Sequence, residues 1–529
     1  MQPPLRITFP KFIIQTFSMR RSLFLLFAIS LFMAGYSQNT ISLLSDTTGP
    51  VISRNIYGHF SEHLGRCIYD GFYVGENNRT IPNTEGVRND IIAALRKLKI
   101  PSLRWPGGCF ADTYHWKDGI GPKKDRPNMV NRWWGGVTED NSFGTHDFLN
   151  LCERLGAEPY ISGNVGSGTV QELADWVQYT NGNPNTSPMS TLRVKNGRTD
   201  PWNVSFWGVG NEAWGCGGNM TPEYYANVYR QFATYLTPAG SKDRIFRIAS
   251  GASDDNYHWT EVLMRDIPRW MVEGVAIHHY AVIDWNARSS ATGFTEEQYF
   301  ATMKQALRME EFVKGHAAIM DKYDPEKKTA MVVDEWGGWY EVEPGTNPGF
   351  LYQQNSMRDA MIAGTTLNIF NNHADRVRMA ALAQTVNVLQ AVVLTDKEKM
   401  ILTPTYHVLE MYTVHHDATL LPLKLTTEDY KLGNDQLPAI SASASKDKSG
   451  AVHITLVNID AKQKRTVRIE GVGNGKVTGR ILTSAKIQDH NSFAEPEKVK
   501  PAVFTGAKMD KGLLTVEMPA FSVVVLEVK

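Results

Sequence analysis

The sequence predicts an α/β protein: a (β/α)8 TIM barrel with an accessory antiparallel β-sandwich that resembles a jelly roll. Two observations lead to this fold class. From about residue 51 to about residue 405, apolar β-forming segments alternate with amphipathic helical segments, which is the pattern of parallel β/α units. Beyond that region the chain changes to short alternating strands with polar turns, a texture typical of antiparallel sandwiches.

The N-terminal segment, residues 1–37, is excluded from the predicted fold. It contains Arg20 and Arg21, a short apolar stretch and then small residues, and this order predicts a secretory signal peptide. Residues 1–18 are compatible with an over-called translation start, and the arginine pair also fits a twin-arginine signal, though less well. The apolar stretch is too short for stable membrane insertion. We therefore expect an exported protein, either periplasmic or extracellular.

The rest of the chain is divided into three predicted regions. Residues 38–50 are predicted to contribute one strand to the sandwich, residues 51–405 to form the catalytic barrel, and residues 406–529 to form the C-terminal sandwich. Eight segments rich in β-forming residues are candidate barrel strands: residues 54–60, 100–106, 158–164, 204–210, 244–250, 274–280, 329–335 and 378–384.

Helices are predicted between these strands from caps and periodicity. Apolar residues recur at helical spacing over residues 87–98. Thr169 and Glu172 have the spacing of a capping box, and Thr221 followed by Pro222 is the expected start of another helix. A further long amphipathic helix is predicted over residues 295–313.

Composition excludes several classes of function. The 529 residues include 55 basic and 55 acidic side chains, so the chain has no net positive charge that would attract nucleic acid. The four cysteines show no C-x-x-C spacing, and we interpret them as buried thiols, although an exported chain would oxidise any pair that lies close together. The sequence does not say which pair that is.

The predicted barrel restricts where reactive residues lie. The barrel interior is packed with side chains, so chemistry takes place at the carboxyl ends of the strands. The polar residues that end the candidate strands are Glu62, Arg104, Asn164, Asn211, Glu212, His278, Tyr280, Glu335 and Gln384.

Two of these residues, Glu212 and Glu335, predict glycoside hydrolysis. They end the fourth and seventh strands, which face each other across an eight-stranded barrel, and that reaction needs two carboxyl groups on either side of the scissile bond. A single strand-end glutamate more often serves in a salt bridge or a cap, so the argument depends on the pair. Four neighbouring tryptophans are expected to offer stacking faces for sugar rings: Trp207, Trp214, Trp336 and Trp339.

Five segments carry a family resemblance: "YGHFSEHLGRCIYDG", "RWPGGCFADTYHWKDGIGP", "WGVGNEAWGCGG", "VVDEWG" and "AQTVNVLQA". In this order they resemble the α-L-arabinofuranosidases of glycoside hydrolase family 51. The resemblance implies a retaining exo-acting hydrolase that releases terminal non-reducing α-L-arabinofuranosyl residues from arabinan, arabinoxylan or arabino-oligosaccharides. It also implies that no cofactor or metal is needed and that the protein is a homo-oligomer, commonly a hexamer in the family.

The resemblance also implies roles for single residues. Glu212 matches the general acid/base and Glu335 the nucleophile, with their carboxyl groups roughly 5–5.5 Å apart. Cys109 stands where some members have asparagine, and a thiol makes weaker hydrogen bonds than an amide. Substrate-binding positions are matched by Glu62, Arg104, Cys109, Asn211, His278, Tyr280 and Gln384.

Three alternatives stay open at this point. The first is a retaining β-glucanase or xylanase on the same barrel, and the second is a carbohydrate-binding protein without turnover. The third is a metalloenzyme that uses His278, His279 and Asp334, which strand alternation disfavours because adjacent histidines point to opposite faces. For Gln384, an interior polar residue satisfied by backbone groups is the structural alternative to a substrate ligand.

Overall fold

The computed structural model describes residues 39–44, 49–240, 242 and 244–529. At its centre is a closed barrel of eight parallel strands, in which consecutive strands pair in chain order and the eighth pairs with the first. This confirms the predicted fold class. The barrel strands, one to eight, are Gly58–Phe60, Ser102–Trp105, Glu158–Gly163, Phe206–Val209, Phe246–Ser253, Gly274–Ala281, Ala330–Gly338 and Val377–Ala383.

Each predicted segment overlaps one of these strands, although four strands extend beyond the predicted bounds and the first is shorter than expected. Arg54–Tyr57 form a 3-10 helix, so only Gly58–Phe60 of the segment is strand. The Ser53 side chain accepts a hydrogen bond from the backbone N–H of Asn55, and such local bonds compete with strand formation.

The α-helices follow the strands and cover the outside of the barrel. Thr169 and Thr221 are N-caps that accept hydrogen bonds from the backbone N–H groups three residues later, as their spacing predicts. The helix predicted over residues 295–313 extends further, to Tyr323. In the described part of the chain the α-helices are Asn89–Lys97, Thr145–Leu155, Val170–Asn181, Pro188–Lys195, Pro222–Tyr235, Tyr257–Asp266, Glu296–Tyr323, Met357–Asn372 and Pro404–Tyr412.

Two further sheets, mostly of C-terminal strands, pack face to face. The first sheet consists, in spatial order, of Leu423–Thr426, Asn39–Leu43, Arg465–Glu470, Leu513–Met518 and Ala507–Asp510. The second consists of Thr419–Leu420, Ile440–Lys446, Val452–Asn458, Ser522–Val528, Val477–Leu482 and Ala502–Val503. Aliphatic side chains from both sheets form one buried core between them.

The strand Asn39–Leu43 lies within the first of these sheets. It pairs antiparallel with Leu423–Thr426 and parallel with Arg465–Glu470. A strand near the N-terminus is therefore hydrogen-bonded on both edges to strands from the C-terminal part of the chain. The domain bounds at residues 38–50, 51–405 and 406–529 stay predictions.

Short elements complete the described chain. The remaining strands are Asn83–Thr84, Val87–Arg88, Met129–Val130, Thr138–Glu139, Val393–Asp396, Lys399–Leu402, Asp429–Leu432 and Asp435–Pro438. The remaining 3-10 helices are Ala111–Thr113, Trp116–Gly119, Lys123–Asp125, Arg269–Met271, Pro348–Phe350 and Thr413–His415. Over the described ranges, no helix combines the length and the apolar character needed to cross a bilayer.

Candidate active site

Glu335 lies in the seventh barrel strand with its carboxylate directed into the barrel mouth. Its Oε1 accepts a hydrogen bond of 2.9 Å from Nη1 of Arg104, and its Oε2 accepts one of 2.8 Å from the hydroxyl of Tyr280. Arg104 comes from the second strand and Tyr280 from the sixth, so three rigid elements fix this carboxylate. The result is a buried carboxylate beside a permanent positive charge.

Glu212 follows the fourth strand after the left-handed Gly210, and its own φ of 39° is also positive. This turn directs the carboxylate into the barrel mouth, where Oε1 lies 2.9 Å from Nδ1 of His278. Burial, together with the charge of Glu335, raises the pKa of Glu212, while the bond to His278 acts in the opposite direction. Glu212 therefore holds its proton more strongly than an exposed glutamate does.

The two carboxylates converge on one space. One oxygen of Glu212, one oxygen of Glu335 and a ring nitrogen of His278 all lie within 4.8 Å of one another. The pocket in front of them has about 350 Å³ of empty space including its opening, which suits a small ligand group. Its lining residues are Phe60, Glu62, Leu64, Gly108, Cys109, Trp134, Glu212, Tyr280, Glu335, Trp339, Leu351, Gln384 and Leu389.

His278 is buried between three carboxylates. Its Nε2 lies 3.1 Å from Oδ1 of Asp334, on the side away from Glu212. Burial opposes the charge, but the carboxylates of Glu335, Asp334 and Glu212 outweigh it and raise the pKa of the imidazole to about 10. For Asp334, burial is likewise outweighed, chiefly by Arg104 and His278, and the pKa falls to about 2.

Arg104 also orients Asn211. Its Nη2 donates a hydrogen bond of 2.6 Å to Oδ1 of Asn211, while Nε donates to the Ser162 hydroxyl at 3.0 Å. With its oxygen occupied by the guanidinium, Asn211 presents its amide N–H₂ group, whose nitrogen lies 3.7 Å from Sγ of Cys216. The arrangement offers a hydrogen-bond donor next to Glu212.

Glu62 and Gln384 also line the pocket and are bonded to each other. Glu62 Oε1 accepts hydrogen bonds from the backbone N–H groups of Gly108 and Phe110, both at 3.0 Å, and from the indole of Trp134 at 2.9 Å. Gln384 Nε2 donates to Glu62 Oε2 at 3.1 Å, whereas its Oε1 is buried without a hydrogen-bond partner. Burial, with a smaller effect of the charge on Glu335, raises the pKa of Glu62 to about 7.

The two glycines of the "PGGC" segment are required by these close contacts. A Cβ atom on Gly107 would lie 2.6 Å from Cγ of Glu62, and one on Gly108 would lie 2.8 Å from Oε1 of Glu335. Any side chain at either position would push against a carboxylate of the site.

Of the four predicted stacking residues, Trp339 alone lines the pocket. Trp207 and Trp336 are 0% and 1% exposed and belong to the core, because neighbours along a strand point to opposite faces. Trp339 does line the pocket and packs edge to face against Tyr280, and Trp214 donates to the backbone oxygen of Gly251. The pocket tryptophan that sequence reasoning missed is Trp134.

The interpretation of all four cysteines as thiols is wrong for one pair. Cys109 and Cys216 form a disulfide, while Cys67 and Cys152 are free and buried. The barrel brings together two loops separated by 107 residues, a proximity that spacing along the chain does not show. Cys109 thus lines the pocket as a disulfide sulfur rather than as a thiol.

Two buried aspartates complete the network and were not predicted as binding or catalytic residues in the favoured interpretation. Asp334 binds His278 and also accepts a hydrogen bond of 2.7 Å from the hydroxyl of Tyr160. Asp112 accepts backbone hydrogen bonds from Val165, Gly166 and Asn211 and so ties the third and fourth strand ends together. The signal for Asp334 was its position directly before Glu335, but Asp112 lies in the 3-10 helix Ala111–Thr113, away from the predicted strand ends.

The metal site of the third alternative does not form from the residues proposed for it. His278 faces the pocket, whereas His279 faces outward and binds Asp254 Oδ1 at 2.6 Å and the backbone oxygen of Gln305 at 2.9 Å. Alternation along the strand separates the two rings.

Comparison with known proteins gives matches to both halves of the chain. The family model described as Alpha-L-arabinofuranosidase 1 domain matches residues 94–314, and the Alpha-L-arabinofuranosidase C-terminal domain matches residues 334–522. A relative from Bacteroides ovatus, named "Intracellular exo-alpha-L-arabinofuranosidase", is 51% identical over 506 residues, which cover 95% of this chain and 98% of the relative.

Two solved structures are also similar. The GH51 arabinofuranosidase from Xanthomonas axonopodis pv. citri is 49% identical with a TM-score of 0.91, and the match covers 93% of this chain and all of that one, 100%. The α-L-arabinofuranosidase from Thermotoga maritima, solved as an arabinose complex, is 30% identical with a TM-score of 0.82 over 93% of this chain and 100% of that one.

The comparison contradicts the prediction of export, because the Bacteroides ovatus relative is named as an intracellular enzyme. The predicted signal peptide at residues 1–37 lies outside the described residues. The prediction rested on composition alone, and two arginines before a short apolar stretch do not show that a segment is recognised for export.

A barrel mouth with two convergent glutamates, family models over both halves and a 51% identical relative lead to one assignment. The chain belongs to the α-L-arabinofuranosidases of glycoside hydrolase family 51.

Proposed function

We propose that this protein is a retaining, exo-acting hydrolase that releases terminal non-reducing α-L-arabinofuranosyl residues by double displacement. The observation that carries the proposal is the convergence of Glu212 and Glu335, with one oxygen of each within 4.8 Å of the other. Retaining enzymes place their carboxyl groups roughly 5–5.5 Å apart, too close for a water molecule to attack between them.

In the first step, Glu335 attacks the anomeric carbon while Glu212 donates its proton to the leaving oxygen. Arg104 and Tyr280 hold one oxygen each of Glu335, which aligns the nucleophile before substrate arrives. The product of this step is a covalent arabinosyl ester of Glu335, and the aglycone leaves as an alcohol.

In the second step, Glu212 is ionised and acts as the base for an incoming water. His278 stays beside it, 2.9 Å from Oε1, and its positive charge stabilises the carboxylate left after proton donation. Water attacks the anomeric carbon from the face that the aglycone left, so arabinose is released with the configuration of the substrate.

The substrate-binding groups surround the same space. We assign hydrogen bonds with the furanose hydroxyls to Glu62, Gln384 and Asn211, and contact with the sugar face to Cys109. The unpartnered Oε1 of Gln384 and the Asn211 amide, whose structural partner on the nitrogen is the weak acceptor Sγ of Cys216, are the groups that we assign to a sugar. The walls built by Trp134, Leu351 and Trp339 make a pocket rather than an open cleft, which favours the end of a chain. Arabinan, arabinoxylan and arabino-oligosaccharides are the substrates that we propose.

An NMR time course on a defined aryl α-L-arabinofuranoside tests the reaction and its stereochemistry together. We expect the α anomer of arabinose to form first and then to mutarotate. Initial formation of the β anomer would overturn the retaining mechanism.

A panel of aryl glycosides tests the substrate class. We expect cleavage of the α-L-arabinofuranoside to exceed that of the β-glucoside and β-xyloside by orders of magnitude. Preferential cleavage of either β-glycoside would replace this proposal by the glucanase or xylanase alternative. The hexamer implied by the family is tested separately by light scattering coupled to size-exclusion chromatography.

A further inference from the structure

The disulfide Cys109–Cys216 is a feature of the site that the proposed reaction does not use. Cys109 follows the second strand, and Cys216 lies four residues after Glu212. Both are partly exposed and Cys109 lines the pocket, whereas the two free thiols, Cys67 and Cys152, are buried. A reductant that enters the pocket therefore reaches this bond more readily than any reagent reaches the buried thiols.

The disulfide contacts the proposed acid/base directly. Sγ of Cys216 lies 3.5 Å and Sγ of Cys109 lies 4.0 Å from Oε2 of Glu212, and the amide of Asn211 is 3.7 Å from Sγ of Cys216. His278 occupies the other oxygen, Oε1. The two sulfur atoms thus pack against the second carboxylate oxygen of Glu212, Oε2.

The oxidation state of the pair changes what this surface offers to Glu212. A disulfide sulfur carries no hydrogen and is only a weak acceptor, so it leaves the ionised carboxylate without a donor on this side. A thiol is a donor, and an S–H group at Cys216 stabilises the ionised form of Glu212. Reduction also removes the covalent link between the loop that binds Glu62 and the loop that carries Glu212.

We propose that Cys109–Cys216 is a redox-controlled positioning pair for Glu212, active as the disulfide and attenuated as the dithiol. This inference rests on the proposed role of Glu212 as acid/base. The reductant is a dithiol: its thiolate attacks one sulfur, the S–S bond breaks and a mixed disulfide forms. The other cysteine leaves as a thiolate, and the second thiolate of the reductant then attacks the mixed disulfide and displaces the cysteine that it holds. Two electrons and two protons pass to the cysteines, and the reductant becomes a cyclic disulfide.

The other titratable groups that face Glu212 do not change with the pair. They are His278 and Tyr280 from the sixth strand, Glu335 from the seventh and Arg104 from the second. These four groups are chemically the same in both oxidation states, so the cysteine pair is the difference that the two pH profiles compare.

The experiment compares the full chain before and after treatment with dithiothreitol, with the state of the cysteines checked by peptide mass mapping. We expect reduction to lower kcat/KM about tenfold for arabinosides with an alkyl aglycone, the scale of a slightly misplaced catalytic group. Substrates with a 2,4-dinitrophenyl aglycone need no protonation and should lose less than about twofold. The alkaline limb of the pH profile should move to lower pH, and reoxidation should restore both.

Two variants complete the test. Cys109→Ser with Cys216→Ser should show the leaving-group pattern of the reduced protein and no response to dithiothreitol. Cys152→Ala, which removes a buried thiol remote from the pocket, should respond as the parent chain does.

The inference is overturned if no Cys109–Cys216 peptide is found after oxidation, or if reduction leaves the alkyl substrate unaffected. Equal losses for both aglycones would also overturn it, because they would indicate a general structural role. Failure of the proposed function is distinguishable: Glu212→Ala would then lack leaving-group dependence in the oxidised protein.

Discussion

The two glutamates at the barrel mouth have contrasting surroundings. Glu335 belongs to a strand and receives one hydrogen bond at each oxygen, from Arg104 and Tyr280. Glu212 lies just past a strand, in left-handed backbone, with His278 at one oxygen and sulfur atoms at the other. The first environment supplies donors and positive charge at fixed positions, while the second combines a titratable partner with an apolar surface.

This contrast matches the division of work that the proposed mechanism requires. A nucleophile is used in its ionised form and benefits from fixed donors, whereas an acid/base must bind and release a proton in every cycle. Two glutamates, which have the same side chain, can therefore take different roles because their surroundings differ. The following changes test whether the difference has these consequences, from the largest expected effect to the smallest.

Removing the carboxylate of Glu335 should have the largest effect. Glu335→Ala is expected to lower kcat by about four to six orders of magnitude, the scale observed when a covalent nucleophile is lost. Glu335→Gln, which keeps the shape of the side chain, should be equally inactive, and circular dichroism should show both variants folded. As a control, Glu326→Ala removes a side chain that is 62% exposed and should leave kcat unchanged. Substantial residual turnover in both Glu335 variants would assign the nucleophile to another residue.

Glu212→Ala should produce a loss that depends on the aglycone. For alkyl or sugar aglycones we expect kcat/KM to fall by about 10²- to 10⁴-fold, the usual contribution of general acid catalysis. For 2,4-dinitrophenyl arabinoside the loss should be small, because this leaving group departs without a proton. Added azide should accelerate the variant and give an α-arabinosyl azide. A loss of the same size for every aglycone would contradict the acid role.

Tyr280→Phe should have an intermediate effect. It removes one hydrogen bond to the Glu335 carboxylate, and a bond to a charged group is worth about 1.5–3 kcal/mol. Because that contact aligns the nucleophile, we expect kcat to fall by roughly ten- to a hundredfold. Tyr299→Phe is the matched control, since its buried hydroxyl donates to the backbone oxygen of Ile459 outside the pocket. It should lower the melting temperature without affecting kcat. An equal loss of kcat in this control would show that the effect of Tyr280→Phe does not result from its contact with Glu335.

The smallest effect concerns stability and pH. The pKa of His278 is raised from 6.5 in the unfolded chain to about 10, because the surrounding carboxylates outweigh burial. The folded state therefore binds the proton more tightly. The stabilisation is fully present below pH 6.5 and is lost as the pH rises through 10. Melting temperatures between pH 6.5 and 10 should fall less steeply for His278→Gln than for the parent chain.

His279→Gln is the control for this measurement, because its ring faces away from the pocket towards Asp254. Its melting temperature should follow the same pH slope as the parent chain. Parallel slopes for the parent chain and His278→Gln would show that the imidazole is not held as a cation.

The sequence determined the architecture and the identity of the two glutamates at the barrel mouth. Alternating β and helical segments predicted all eight strands, because a parallel strand buried on both faces has a recognisable apolar composition. Strand ends then selected Glu212 and Glu335, since a closed barrel leaves its carboxyl end open. Their roles as acid/base and nucleophile stay proposals until the variants are measured.

The tertiary structure alone decided which groups meet those glutamates. The pairing of Cys109 with Cys216, the contact of Asp334 with His278 and the insertion of Trp134 into the pocket join residues distant in sequence. A loop residue has no periodicity that reports its direction, and a disulfide depends on distance in space. Local composition fixes which residues end a strand, but only packing around the closed barrel brings their partners within bonding distance.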